Sequence, residues 1–171
     1  QLDLDLATSA RMFEVILRCL AIGDAAVPAQ GMQAIPEQLA AGLPADVVRL
    51  GTAVERLDGT RAVLADGTTV AGRTLVVATE GPAASQLLGL PDPGSKSVAA
   101  LWFASAEPPV DGRSIVLDGA GSGPVANLAV MSQVAPSYAP AGRSLTVAAC
   151  PADLGGDLEA RARRQLRGWF G

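Results

Sequence analysis

A chain that does chemistry with its own side chains usually carries a histidine, and this one has none in its 171 residues. That removes a Ser-His-Asp triad, a Cys-His dyad and the usual histidine-ligated metal sites. Ser85, Ser97 and Ser132 have no base partner in the sequence. No pair of carboxylates stands out for acid–base work, so no catalytic residue and no metal ligand is assigned. The two cysteines, Cys19 and Cys150, sit far apart in the apolar runs "VILRCLAI" and "SLTVAACP". Cysteine is among the most buried residue types, which predicts two reduced core thiols rather than a disulfide framework. Chemistry served by this chain must therefore come from a bound cofactor, from carboxylates or from a segment outside it.

Two loops invite a ligand. "GAGSGP" (119–124) looks at first like a nucleotide loop, but Pro124 stands in the last glycine position and strand-like sequence follows. The dinucleotide fingerprint needs a strand before it and a helix after it, so a hairpin turn is the better reading. "VPAQGMQAIPEQLAAGLP" (27–44) is different. It places Gly31-Met32 ahead of an amphipathic helix carrying Ile35, Leu39 and Leu43. Glycine tolerates positive φ and lets backbone approach a neighbour closely, and helix N–H groups can meet a polar or anionic ligand.

The elements that must position these residues follow from periodicity. Residues 5–22 predict a helix through Leu6, Met12, Phe13, Ile16, Leu17 and Leu20, with Thr8 or Ser9 as its cap. A Gly/Pro connector (23–31) leads to a second helix over 33–43, where Pro36 lies in the first turn. Strands are expected at 47–51, 53–59, 61–67 and 68–72, with hairpin turns at Asp58-Gly59 and Asp66-Gly67. "TLVVAT" (74–79) predicts a strand buried on both faces, and "GPAASQLLGL" (81–90) a helix. After "PDPG" (91–94) four longer strands are expected at 97–106, 114–120, 124–135 and 144–150, then a helix from "DLEARARRQLRGWFG". Its early acids and late arginines suit the helix dipole. Arg161, Arg163, Arg164 and Arg167 read as a solvated face rather than an anion site.

Nearly half of the residues are hydrophobic and only 4% aromatic, so the core must be built from Ala, Val and Leu. The net charge of −4 is spread out, with no basic stripe of the kind nucleic acid requires. No apolar run is long enough to span a bilayer. The first residues show neither a basic nor an apolar signal region. The fold class expected is α+β, with a mixed, largely antiparallel sheet and flanking helices.

The order of features resembles the middle of the flavin-containing amine oxidase and phytoene-desaturase-like superfamily of FAD-dependent oxidoreductases. There a Gly-Gly-Met-led helix precedes a strand, a "DG" hairpin and a buried "VVVATP" strand. Gly31, Met32, Leu50, Thr52, Val54 and Leu57 match that frame, with Gln30 in place of the first glycine, and "ATEGPAASQLL" is similar to the desaturase style. The likeness covers most of residues 3–90, and the last 80 or so match more loosely. It implies that 1–90 holds helices and hairpin strands belonging partly to the FAD-binding domain, and 91–171 a substrate-binding sheet with a C-terminal helix. It implies cofactor contacts at Gly31, Met32, Val54, Ala78, Thr79 and Glu80, with the Val54 main chain holding the adenine.

The superfamily's glycine motif and its late "GD" segment are missing from this sequence. The chain is thus expected to be an internal fragment that does not by itself retain FAD, inactive alone, with hydride going to flavin in the full-length parent. Amine oxidases of this group place a lysine at the start of the first long substrate-domain strand. Val98 aligns there, and Lys96, the only lysine, falls two residues earlier. Together with Trp102, Phe103 and Met131, Lys96 is the expected substrate-binding set, for a lipophilic or amine small molecule. The expected setting is cytoplasmic, with peripheral membrane contact open to the parent. A non-catalytic module that binds a lipophilic small molecule is the rival reading.

Overall fold

The computed structural model describes residues 9–121, 123–151 and 155–171. Among these are five α-helices and two antiparallel sheets, an α+β fold. No helix among the described residues is long and apolar enough to cross a membrane. Two compact units form: Gln1–Gln38 with Ser97–Gly171, and Leu39–Lys96. One seam falls within the second helix, the other in the loop that also holds the division expected at 90/91.

The Leu39–Lys96 unit is built on a sheet ordered β1-β2-β3, from β1 (Val54–Asp58), β2 (Arg61–Leu64) and β3 (Thr69–Ala71). Both Asp-Gly turns form where expected, with Gly59 and Gly67 at φ 58° and 83°. In the second, the Asp66 carboxylate accepts from Thr68 Oγ1 at 2.7 Å and Thr68 N at 2.9 Å. These bonds, the hydroxyl's first, hold its carboxyl below the usual range. Ala62 and Leu64 are buried. Helix α3 (Gly81–Leu88) packs against β1 and ends at Gly89 in the left-handed region, φ 64°.

Two expected strands are absent from this unit. Residues 47–51 turn instead, with Gly51 at φ 64° and Thr52 Oγ1 donating to the Leu50 carbonyl. The run 74–79 forms no strand and joins no ladder. Leu75 and Val77 are half-buried while Val76 is 80% exposed, so it is covered on one side only. A continuous apolar run is buried on both faces only when strands flank it, and no described strand pairs with this one.

The other unit carries the sheet β4-β7-β6-β5, antiparallel throughout. Its strands are β4 (Val98–Ser105), β5 (Val116–Leu117), β6 (Asn127–Val130) and β7 (Ser144–Pro151). Helix α5 (Leu158–Phe170) closes one face, Ala162 joining Val125, Leu128, Ala148 and Cys150 in the core. Asp157 caps it by accepting from Ala160 N at 3.1 Å. Gln165 ties it to the chain ahead of β6. Its Oε1 accepts from Val125 N at 2.8 Å, and its Nε2 donates to Val125 O at 2.9 Å and to Asp118 Oδ2 at 3.0 Å.

The expected strand 114–120 shrinks to Val116–Leu117, and 124–135 is strand only over β6. Helical turn α4 (Met131–Val134) follows because Ser132 Oγ accepts Leu145 N at 3.0 Å, substituting a side chain for the next rung. Helix α1 spans Ala10–Ala21, so the part of 5–22 before residue 9, with Leu6 and Thr8, lies outside the described residues. Ser9 stands at its N-cap but makes no capping bond. Helix α2 spans Ala34–Ala41. Cys150 is buried as expected; Cys19 is not, because α1 leaves Cys19 and its apolar residues exposed.

Candidate functional site

Strand alternation divides the four-stranded sheet into two unlike faces. One face is packed under α5: Ala99, Leu101 and Phe103 of β4, Thr146, Ala148 and Cys150 of β7, and Leu128 and Val130 of β6. The opposite face carries Val98, Ala100, Trp102 and Ala104, beside Leu145, Val147 and Ala149. Asn127 and Ala129 extend it on β6 and Leu117 on β5. Val98 is 65% and Trp102 54% exposed. This face is small and apolar, exposed along β4 and half-buried along β7 and β6, with Asn127 as its polar strand residue, which is the make-up of a ligand wall.

This divides the expected substrate set. Trp102 lies on the open face and Phe103 under α5, because they are neighbours on one strand. Met131 is half-buried at the start of α4. Lys96 is exposed in the segment before β4 and belongs to the other unit. The structure therefore brings Trp102 together with the small residues around it and not with Phe103. Asn127 went unnoticed in the sequence, where a lone Asn in an apolar run gives no signal until register fixes its face.

The expected cofactor contacts also fall into two groups. Gly31 has φ 92° and open space where a Cβ would stand. It closes a turn by donating to the Pro28 carbonyl at 3.1 Å, while its own carbonyl accepts from Ala34 N at 3.1 Å. The turn is held from outside: Tyr138 Oη donates to Pro28 O at 2.9 Å and Ser137 Oγ donates to Ala29 O. Tyr138 is the chain's single tyrosine. Neither anchor was foreseen, since they lie more than a hundred residues along the chain from their partners. Met32 is exposed beside the turn.

In the Leu39–Lys96 unit, Val54 opens β1 opposite Leu64, and a bulge follows before Arg56. Because β1 is an edge strand, one side of its main chain lies outside the sheet. Ala78, Thr79 and Glu80 are exposed and lead into α3, with Glu80 at the N-cap and its side chain making no capping bond. The packing of α3 on β1 brings these two segments into one unit. An edge main chain at Val54 fits a base that is held by backbone hydrogen bonds alone. No glycine loop of the pyrophosphate-binding kind accompanies it in the sequence.

The described residues thus form a two-unit α+β architecture whose four-stranded sheet has one face packed under α5 and one apolar face turned away from it. The sequence profile of the flavin containing amine oxidoreductases matches residues 2–171, and the chain belongs to that family. No curated protein matches it.

Proposed function

We propose that this chain forms the substrate-binding region of an FAD-dependent oxidoreductase, in which hydride passes from the substrate to flavin in the full-length parent. The observation that carries the reading is the open face of the β4-β7-β6-β5 sheet. Small residues there leave space for a ligand, Trp102 supplies a broad apolar contact, and Asn127 supplies a polar anchor. The flavin, when bound, supplies the hydride acceptor, and the protein supplies binding and orientation. On this chain the main chain at Val54 holds the adenine edge, and Ala78-Thr79-Glu80 lie at the start of α3 on the same unit.

The face favours a lipophilic, desaturase-type substrate. Its β4 and β7 residues carry no charge, so a cationic amine would lose its hydration with no carboxylate there to receive it. Ala100→Asp tests the reading in the full-length protein. The position is exposed, so folding and flavin content should hold, while substrate-driven flavin reduction should fall at least about tenfold through the buried charge against an apolar ligand. Unchanged reduction would remove the open face from the substrate site.

A further inference from the structure

We propose that the cleft beneath the C-terminal half of α5 is a second ligand site, one that takes an amphipathic carboxylate such as a fatty or arylalkyl acid. Its walls come mainly from α5 and the sheet face beneath it, opposite the face assigned to substrate, with Trp102 and Ala104 bordering it at the β4 edge, and it requires no flavin. The cleft measures about 390 Å³, within the usual size of small-molecule sites. Phe103, Leu166 and Phe170 give it apolar walls. Arg163 and Arg167 stand at its lining, and Glu107 does too, leaving guanidinium in excess.

Two observations point to a ligand independently of the cavity's shape. Thr146 lines the cleft, is only 3% exposed, and its Oγ1 is buried with no hydrogen-bond partner among the described residues. A buried hydroxyl left unpaired is costly, and such groups are rare in native folds. The second observation is the state of the two arginines. Arg163 lies over the Phe103 ring at 5.0 Å and spends its Nε on Glu159 at 2.8 Å. Its two Nη groups, and the whole Arg167 guanidinium, have no protein acceptor among the described residues. A guanidinium held over a ring with its outer edge free presents a fork for a carboxylate. All four α5 arginines are exposed, as their spacing suggests, and two of them, Arg163 and Arg167, also border the cleft. An acid whose tail lies on Phe103, Leu166 and Phe170 places its carboxylate at the arginines, and the Thr146 hydroxyl, which has no accessible surface in the unliganded cleft, gains an acceptor by turning toward it.

The test is titration of the flavin-free chain with laurate below its micelle concentration, by calorimetry and by tryptophan fluorescence, beside dodecanol and dodecylammonium. Saturable one-to-one binding of laurate is expected, at least about tenfold tighter than either neutral or cationic analogue, because a charge-assisted bond to arginine is lost with them. Arg167→Gln should weaken laurate about tenfold, and Thr146→Val, which keeps the side chain's shape, several-fold, with circular dichroism showing both folded. Absence of saturable binding, or equal affinity for dodecylammonium, overturns the site. So does unchanged laurate affinity in a folded Arg167→Gln protein. Ala100→Asp, on the other face, should bind laurate like the parent chain, which separates failure here from failure of the substrate reading.

Discussion

Truncating Gln165 to Ala should cost this protein about 2–6 kcal/mol. The side chain acts as one more strand rung, satisfying both the N–H and the C=O of Val125. Val125 is fully buried, so neither group reaches bulk water once the amide is gone. Leaving a buried donor or acceptor without a partner costs about 1–3 kcal/mol each, and the lower total holds if a water enters the vacated space. For a chain of this size the melting temperature should fall by about 5–15 °C. The neighbouring Gly123 gives the argument an internal control. A Cβ built there would overlap Gln165 Oε1 and Cδ, while the glycine's backbone is not in the left-handed region. Gly123→Ala alone should therefore destabilise by about 1–3 kcal/mol through overpacking. In the Gly123→Ala, Gln165→Ala double variant the overlap disappears, so its stability should match Gln165→Ala alone rather than the sum. Chemical denaturation of all four proteins measures the cycle. Strict additivity, or a Gln165→Ala protein as stable as its parent, would refute the clamp.

The two thiols should react very differently: a disulfide reagent should label Cys19 at once in the folded protein and Cys150 only on unfolding. Burial pushes the Cys150 thiol up, partly offset by Arg161, so the folded chain holds that proton more tightly. The resulting stability is complete below the unfolded thiol value and is lost as pH rises through the folded one. Simultaneous labelling of both cysteines in native buffer would contradict the core assignment. In the flavin-loaded full-length protein, Val54→Ala should keep its flavin because the proposed contact uses only main-chain atoms, whereas Val54→Pro should lose it by deleting the N–H. Equal flavin retention in two folded variants would reduce this strand to a structural role.

Where local chemistry decides the structure, the sequence was readable. Asp58-Gly59 and Asp66-Gly67 became turns at positive φ, and the acid-first, arginine-last segment became α5 with Asp157 as its cap. Gly31 took the left-handed conformation that its setting suggested. Where structure depends on a distant partner, the reading failed. "TLVVAT" has the composition of a central strand, yet it finds no paired neighbour and is covered only at Leu75 and Val77. The run 124–135 looked like one strand because nothing local reveals that Ser132 will take the Leu145 N–H and end the ladder. Trp102 and Phe103 both belong to the expected substrate set, though strand alternation places them on opposite faces. The clefts and clamps are the least legible of all. Gln165 with Val125 and Tyr138 with Pro28 are pairings across the chain that no spacing rule anticipates, and no such rule anticipates the cleft that Thr146 shares with Arg163 and Arg167.

The account stands or falls on where the substrate's electrons go. Mixing the flavin-loaded full-length protein with substrate in the absence of oxygen, and following the flavin's visible absorption band, measures that directly. An isoprenoid or carotenoid should bleach the flavin, and a primary amine should not, because the open face around Trp102 is apolar and Lys96 lies outside the β4 strand. Fast bleaching by the amine with none by the isoprenoid would contradict the lipophilic substrate and return Lys96 to the centre of the site. No bleaching by either would contradict the hydride-transfer reading itself.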